Sequence, residues 1–535
     1  MALVKNRTRI VTFGSGVPDD IPAAEYGNKA AGLAIMSLLG VPVPPGFSLS
    51  VALCEEYFRN GEHLPDDFSE LLKTGIVFLE KATGSSFGGS RNPLLVSVRS
   101  GAPVSMPGVM DTLLNVGLNR ETLRGLISLS GNPRFAWDSY RRLLQEFARV
   151  IFRQNPYPYR AALRDALDAE GLEDEMEFST GNLVDLALTY ERIFSAGSGR
   201  RFPSDIHEQL SLAAEGVIRS WINPRAEAFR RMNLIRDVRG TAVTVQVMVF
   251  GNMGSRSGAG VAFTRNPWQG TGGLLVDFKF GAQGEDVVSG NQSAASPAEF
   301  RNAMPEVYRE LEEIGKKLEL HYRDMQDLEF TVQEGNLYIL QTRSGTRSPF
   351  AALTIAVNLC KEGIITPSDV IWMLREIDLD SIAVQRVASR DYPVAVGIPA
   401  SGGVASGSIA LSGEHAEREA AEGHEVILVR ETASSDDLPG IAAAKGLLTM
   451  RGARTSHAAV VARQMGKICV VNCTGLEIDR TRKRCSLSGQ ELREGEVISI
   501  DGNSGNVYIG SVEFIEDKPM DLIALVRSWE QQLQV

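Results

Sequence analysis

Apolar positions recur at helical spacing from Lys29 to Leu39, and the cluster Pro42, Pro44, Pro45 and Gly46 then stops the pattern, which predicts one amphipathic helix with a sharp end. Beyond it, "PLLVSVRSGAPVSMPGVMDT" predicts a strand from Leu94 to Val98 that runs into a loop punctuated by glycine and proline. Residues 119–235 return to the 3.6-residue period in "FAWDSYRRLLQEFARVIF" and "LVDLALTYERIF" and predict a helical subdomain. The period then becomes two: Val243, Val245 and Val247 alternate with Thr244, Gln246 and Met248. Strand signals continue through "GVAFTRNP" and "GLLVDFKFGAQGEDVVSG" to the stretch Asp327 to Arg343. Helices inserted between strand-rich pieces make residues 1–345 an α+β unit.

Residues 346–392, with "PFAALTIAVNLCKEGI", predict a helical connector. A smaller α/β unit follows over 393–513, its short strands separated by turns at Gly402, Gly403, Gly407, Gly495, Gly502 and Gly505. Residues 514–535 predict a single helical or frayed tail. The chain therefore reads as an α+β multidomain protein with neither an internal repeat nor a low-complexity tract.

Composition narrows the function classes. A chain of 535 residues with 43% hydrophobic content can fill about three or four cores. Its 55 basic and 66 acidic residues leave a net charge of −11, which argues against nonspecific binding to nucleic acid or to an anionic membrane. Any phosphate needs a local site. The five cysteines include no C-x-x-C pair, so neither a disulfide framework nor a thiolate zinc site is predicted, and a reducing cytoplasm is the expected location. The N-terminal "MALVKNRTRIVTFG" lacks the apolar core of a signal peptide.

The segment "DLEFTVQEGNLYILQTR" has period two, and a three-residue loop Glu334 to Asn336 centred on Gly335 would make opposed positions sum to 670. Glu329 then faces Gln341, and Asp327 faces Arg343. Leu328, Phe330, Val332 and Leu340 fall on the opposite, apolar face. Two carboxylates and an amide oxygen suit Mg²⁺, and an arginine beside them suits phosphate. The hairpin alone is equally consistent with a solvated face carrying a cross-strand ion pair.

Lys29 in a first helical turn and Arg99 before Ser100-Gly101 each place a cation near exposed backbone N–H groups, a setting that attracts phosphate, although either alone could be an ordinary surface cation. Neither a Walker-type phosphate loop nor a G-x-G-x-x-G dinucleotide fingerprint occurs. In "RGARTSHAAVVARQMGK", Thr455 and Ser456 can cap a helix that starts at His457. The positive end of the helix dipole favours a neutral, nucleophilic imidazole and then an anionic phosphoryl group carried on it. A lone histidine there could also serve only as a structural hydrogen-bonding group. His63, His207, His321, His415 and His424 show no ligand spacing, which predicts no histidine metal site.

Taken together, "GNKAAGLAIMSLLGVPVPPGF", "LLVSVRSGAPVSMPGVMDTLLNVGLN", "NPRFAWDSYRRLLQEF", "GTAVTVQVMVFGNMGSRSGAGVAFTRNP", "GAQGEDVVSG", "QDLEFTVQEGNLYILQTR", "GIPASGGVASGSI" and "TSHAAVVARQMGK" resemble the pyruvate, phosphate dikinase family, a relative of phosphoenolpyruvate synthase. The resemblance covers the first two of that family's three domains. It implies an ATP-grasp nucleotide-binding domain with the helical insertion, followed by a small swivelling phosphohistidine domain. It implies that Lys29, Arg99, Gln341 and Arg343 bind the phosphates of ATP, that Asp327, Glu329 and Gln341 hold Mg²⁺, and that His457 is the nucleophile. Thr455 resembles the threonine that regulatory phosphorylation targets in some members. Inorganic phosphate is an implied co-substrate, and a homodimer is admitted.

The sequence departs from the family pattern in two places. Gly27-Asn28-Lys29-Ala30 stands for G-G-K-G, and Arg451-Gly452-Ala453-Arg454-Thr455-Ser456-His457 stands for R-G-G-M-T-S-H. A φ > 0 at Ala453 would cost roughly 1 kcal/mol. The family's third domain, a barrel of about 250 residues that binds pyruvate or phosphoenolpyruvate, has no counterpart here. The expectation is therefore the ATP half-reaction on His457, with the acceptor barrel supplied by a second polypeptide or lost. The competing expectations are a noncatalytic nucleotide-binding regulator and a phosphotransferase acting on another small molecule.

Overall fold

The computed structural model describes residues 9–533 apart from 16–20, 105, 107–109, 233, 237, 285, 287–296, 389–391, 434–436, 455 and 480–481. The chain divides into two units, one made of Met1–Ser257 with Tyr338–Thr342 and the other of Gly258–Leu337 with Arg343–Val535.

In the first unit β1 (Ile10–Phe13), β2 (Gly46–Leu49), β5 (Val96–Gly101), β6 (Thr112–Val116) and β7 (Ala242–Val247) form an antiparallel sheet in the order β1-β2-β7-β5-β6. A two-residue pair, β3 (Ser86–Phe87) with β4 (Pro93–Leu94), precedes β5. Strand β5 runs through Arg99 to Gly101, beyond the predicted end at Val98. The alternation predicted around Val243 is present, yet both faces of β7 are buried. The polar face tolerates this because its groups are bonded: Thr244 Oγ1 lies 3.2 Å from Ser48 Oγ, and Gln246 Nε2 donates to the Pro44 carbonyl at 3.0 Å.

The predicted helical subdomain comprises helices Arg120–Ser130, Pro133–Phe152, Tyr157–Glu170, Thr180–Ser198, Ile206–Arg219 and Pro224–Met232. Their starts follow the capping rules: Asn119 and Ser179 head reciprocal capping boxes, and Asn132 accepts from Phe135 N–H ahead of a proline at the first turn. Phe135, Leu144, Phe147, Tyr190 and Phe194 join the same core as Val96, Val98, Val243 and Val245 of the sheet.

The second unit begins with β8 (Gly258–Arg265), β9 (Gly272–Phe280) and β10 (Gln326–Gln333), which form a sheet with β11 (Asn336–Ser344), a strand whose middle residues, Tyr338–Thr342, are assigned to the first unit; the order is β11-β10-β8-β9. The connector holds helices Pro349–Lys361 and Pro367–Leu374, as predicted, but also β12 (Val384–Val387). The predicted helical tail likewise opens with a strand: β23 (Phe514–Asp517) pairs antiparallel with β12 before the helix Met520–Leu533. Four-residue strands whose partners lie far apart in the chain leave too short a pattern to declare themselves.

Between these strands, β13 (Ala395–Ser401), β14 (Val404–Ala410), β15 (Val426–Arg430), β16 (Gly446–Thr449), β17 (Ile468–Thr474), β21 (Val497–Asp501) and β22 (Asn506–Ile509) close into a barrel. β14-β15-β16-β17 are parallel and the remaining pairings antiparallel. The small strands β18 (Leu476–Asp479), β19 (Arg484–Leu487) and β20 (Gln490–Arg493) form a separate meander. Closure fills the interior with Ile409, Ile427, Val429, Leu448, Val470, Ile498, Ile500 and Val507 and leaves no sheet edge.

Candidate functional site

In the second unit, Asp327 and Glu329 of β10 lie opposite Phe263 and Val261 of β8, which in turn lie opposite Leu275 and Asp277 of β9. Opposed residues share a sheet face, so Asp327, Glu329 and Asp277 stand on one face with Phe263, Val261 and Leu275. The sequence reading did not single out Asp277, whose position in the period-two run "GLLVDFKF" was the available signal.

Arg343 Nε donates to Asp327 Oδ2 at 2.8 Å. Asp327 is only 6% exposed, and its Oδ1 is buried without a hydrogen-bond partner among the described residues. Burial pushes the Asp327 carboxyl above the ordinary aspartate range. Arg343 and Arg463 pull it back, and Glu329 adds to the upward push. Burial works against the Arg343 charge, but Asp327 and Glu329 raise its pKa in net. A half-satisfied buried carboxylate beside a second carboxylate fits a hard divalent cation such as Mg²⁺.

The predicted three-residue loop is not what forms. Glu334 (φ 49°) and Gly335 (φ 83°) make a two-residue turn, and Asn336 already belongs to β11. Two left-handed residues match the twist of the flanking strands, which is why such turns are preferred. The register leaving the turn is thus one residue away from the predicted one, so the opposition of Glu329 to Gln341 does not follow from it. Leu337 and Ile339 are buried, whereas Leu340 is half-buried, correcting its predicted place on the apolar face. Leu328, Phe330 and Val332 are buried as predicted. Arg343 nevertheless meets Asp327 through its side chain, and Gln341 is half-buried in β11.

In the first unit the helix Ala23–Leu38 is broken at Gly27 (φ 83°, ψ 154°), so Lys29 stands in the first turn after the break. Only glycine fits there, because a Cβ on Gly27 would lie 1.9 Å from the Gly101 carbonyl oxygen. Asn28 N–H donates to the Ala102 carbonyl at 3.2 Å. The segments bearing Lys29 and Arg99 therefore abut. Both side chains are half-buried, and Arg99 Nη1 lies 3.5 Å from the Leu340 carbonyl.

Back in the second unit, the helix His457–Gln464 is capped by Ser456, whose Oγ accepts from Ala459 N–H at 3.4 Å. Thr455, the predicted regulatory position, lies outside the described residues. Ala453 does not take φ > 0, so the cost attached to that case does not arise; Gly452 (φ 140°) takes the unusual backbone instead. Arg463, also missed in the sequence, is 8% exposed and donates to the carbonyls of Ala400 (3.0 Å) and Arg454 (3.0 Å).

All five cysteines are free. Spacing suggested no histidine ligand set, but His424 lies with Glu419 and Glu422 so that their ligand atoms fall within 4.8 Å of one another, a grouping made by a helix end and the loop after it. Among the described residues, no helix is long and apolar enough to cross a membrane.

The carboxylates Asp327, Glu329 and Asp277 thus share one sheet face, the segments bearing Lys29 and Arg99 abut in the first unit, and a serine-capped helix begins at His457. The family profile for the AMP/ATP-binding domain of pyruvate phosphate dikinase matches residues 62–308 and 304–358, and that for the mobile domain of PEP-utilising enzymes matches 422–505. The chain belongs to the pyruvate phosphate dikinase family. It is 41% identical to pyruvate, phosphate dikinase of Clostridium symbiosum over 514 residues, covering 95% of this chain and 59% of that enzyme. It is 42% identical to pyruvate, phosphate dikinase 2 of Zea mays over 512 residues (95% and 58%) and 40% identical to the Rhizobium meliloti enzyme over 539 (97% and 60%). The chain thus spans somewhat over half the length of these relatives.

Proposed function

We propose that residues 1–535 carry the ATP half-reaction of a pyruvate, phosphate dikinase-type enzyme, with an ATP-grasp domain feeding a swivelling phosphohistidine domain. A nitrogen of the His457 imidazole attacks the β-phosphorus of ATP. The N–P bond forms, the bond from the β-phosphorus to the bridging oxygen breaks, and AMP leaves with that oxygen. Inorganic phosphate then takes the γ-phosphoryl group, giving pyrophosphate and leaving phosphohistidine. Asp327, Glu329 and Gln341 would hold Mg²⁺, which supplies charge neutralisation to the phosphate oxygens. Lys29, Arg99, Gln341 and Arg343 orient the phosphates, since catalysis of phosphoryl transfer rests mainly on positioning and charge. Ser456 fixes the helix end whose dipole favours both the neutral imidazole and the phosphoryl anion on it.

The observation that carries this reading is the buried Asp327 carboxylate, with one oxygen on Arg343 and the other unsatisfied. The relatives' names include pyruvate, and the phosphoryl group carried on His457 passes in this reading to pyruvate held by an acceptor domain. Thr455, two residues before His457, is the proposed site of regulatory phosphorylation. The test is AMP formation from ATP with Mg²⁺ and inorganic phosphate, assayed with stoichiometric protein. One equivalent of AMP per chain is expected, and none in His457→Ala. ADP as the sole nucleotide product would contradict the dikinase chemistry.

A further inference from the structure

Arg463 lies on the His457 helix, and its bonds to the Ala400 and Arg454 carbonyls bind that helix to β13 and to the loop leading into His457. Its guanidinium carbon also sits 5.5 Å from the ring centre of Phe263 and 5.7 Å from that of Trp268, both on the far side of the connector in sequence. Phe263 shares its sheet face with Asp327. Trp268 follows the end of β8, is 5% exposed, and lies so close to the β13–β14 turn that a Cβ at Gly402 would be 3.6 Å from its own Cβ. Asp327 and Asp277 both act on the Arg463 charge. A planar cation whose hydrogen bonds to Ala400 and Arg454 stay on the His457 side, while its guanidinium carbon lies over two rings from before the connector, is suited to reversible docking, since separation breaks neither of those bonds.

We infer that Phe263 and Trp268 form an aromatic seat for Arg463, and that Arg463 is the positioning residue that docks the His457-bearing domain on the carboxylate face for phosphoryl transfer. This rests on the function proposed above. Arg463 ties the loop before His457 to the seat, so occupancy of the seat fixes the direction from which the imidazole approaches, and small errors in such placement are costly in rate. The contact acts on the rate of the transfer step and leaves nucleotide affinity alone, because neither Arg463 nor Trp268 is among the residues proposed to hold ATP.

The experiment compares the unaltered chain with Trp268→Leu, Arg463→Lys and the double variant. Measured are the rate of acid-labile labelling from β-labelled ATP at saturating nucleotide, ATP affinity by calorimetry, and the radius of gyration by X-ray scattering. Each single variant should slow labelling about tenfold, the scale of a desolvated cation–π contact, with ATP affinity within about twofold. The double variant should be no slower than the slower single, and Trp268→Leu should be more expanded. Independent, multiplying effects, or labelling by Trp268→Leu at the unaltered rate, would overturn the seat. Should the unaltered chain bind ATP but form no phosphohistidine, the proposed function fails while scattering still decides the seat: radii unchanged in both single variants would refute it.

Discussion

Arg343 Nε donates to Asp327 Oδ2 at 2.8 Å, while the other oxygen of the same carboxylate is buried with no hydrogen-bond partner among the described residues. An unmet buried acceptor costs about 1–3 kcal/mol, which a protein accepts where a ligand will later satisfy it. Asp327→Asn should therefore weaken Mg²⁺-dependent ATP binding at least tenfold, about 1.4 kcal/mol. Because the change leaves the Arg343 guanidinium without its carboxylate partner, the ligand-free protein should also lose about 1–3 kcal/mol of stability. Calorimetry with and without Mg²⁺, alongside thermal melting, checks both halves. Unchanged Mg²⁺-dependent affinity would remove Asp327 from the site.

The same burial sets a pH dependence. The Asp327 pKa is raised in the fold, so the ligand-free protein loses stability as pH rises from the ordinary aspartate value, about 3.9, through the raised one. Metal binding needs the ionised form and must weaken as pH falls through that same window. The apparent Mg²⁺ affinity of the ATP-bound protein should accordingly drop at a pH above that of an ordinary aspartate. A titration whose midpoint sits at or below about 3.9 would show that Arg343 outweighs burial.

Gly27→Ala should be far more damaging than a glycine substitution on the surface. The left-handed backbone alone costs a non-glycine residue about 1–2 kcal/mol, and the new Cβ would meet the Gly101 carbonyl at 1.9 Å. Since the clash pushes apart the segments bearing Lys29 and Arg99, ATP affinity and melting temperature should fall together. Full ATP affinity in a destabilised variant would separate the two cations from the nucleotide.

The thiols give an independent check on the fold. Burial raises Cys54, Cys473 and Cys485 to about 11 and Cys469 to about 12, and only Cys360 is half-buried. A disulfide-exchange reagent at neutral pH should find at most one readily reactive thiol in the native protein and all five after denaturation. Several fast thiols in the native state would contradict the packing of the barrel.

Local chemistry made much of this legible in the sequence. The Ser456 cap before His457, the helix restarting after Gly27 and the capped helices between 120 and 232 all follow from side chains acting on their own backbone. What escaped depends on distant partners. The pairing of β12 with β23 and the closure of the barrel join short strands far apart in the chain. Asp277 reaches the carboxylate face only through its register with β8, and Arg463 looked like an ordinary basic residue near a helix end until its burial and aromatic neighbours were seen. The turn length has the same origin: one residue more or less between two strands cannot be read from an alternating pattern, although the predicted partners Asp327 and Arg343 do meet.

The central claim concerns a covalent bond to one imidazole, and labelling from ATP tests it most directly. With β-labelled ATP and Mg²⁺ the protein should take up one acid-labile, base-stable label per chain, absent in His457→Ala; with γ-labelled ATP the label should be lost on adding inorganic phosphate. No acid-labile label under these conditions, or equal labelling of His457→Ala, would contradict the account.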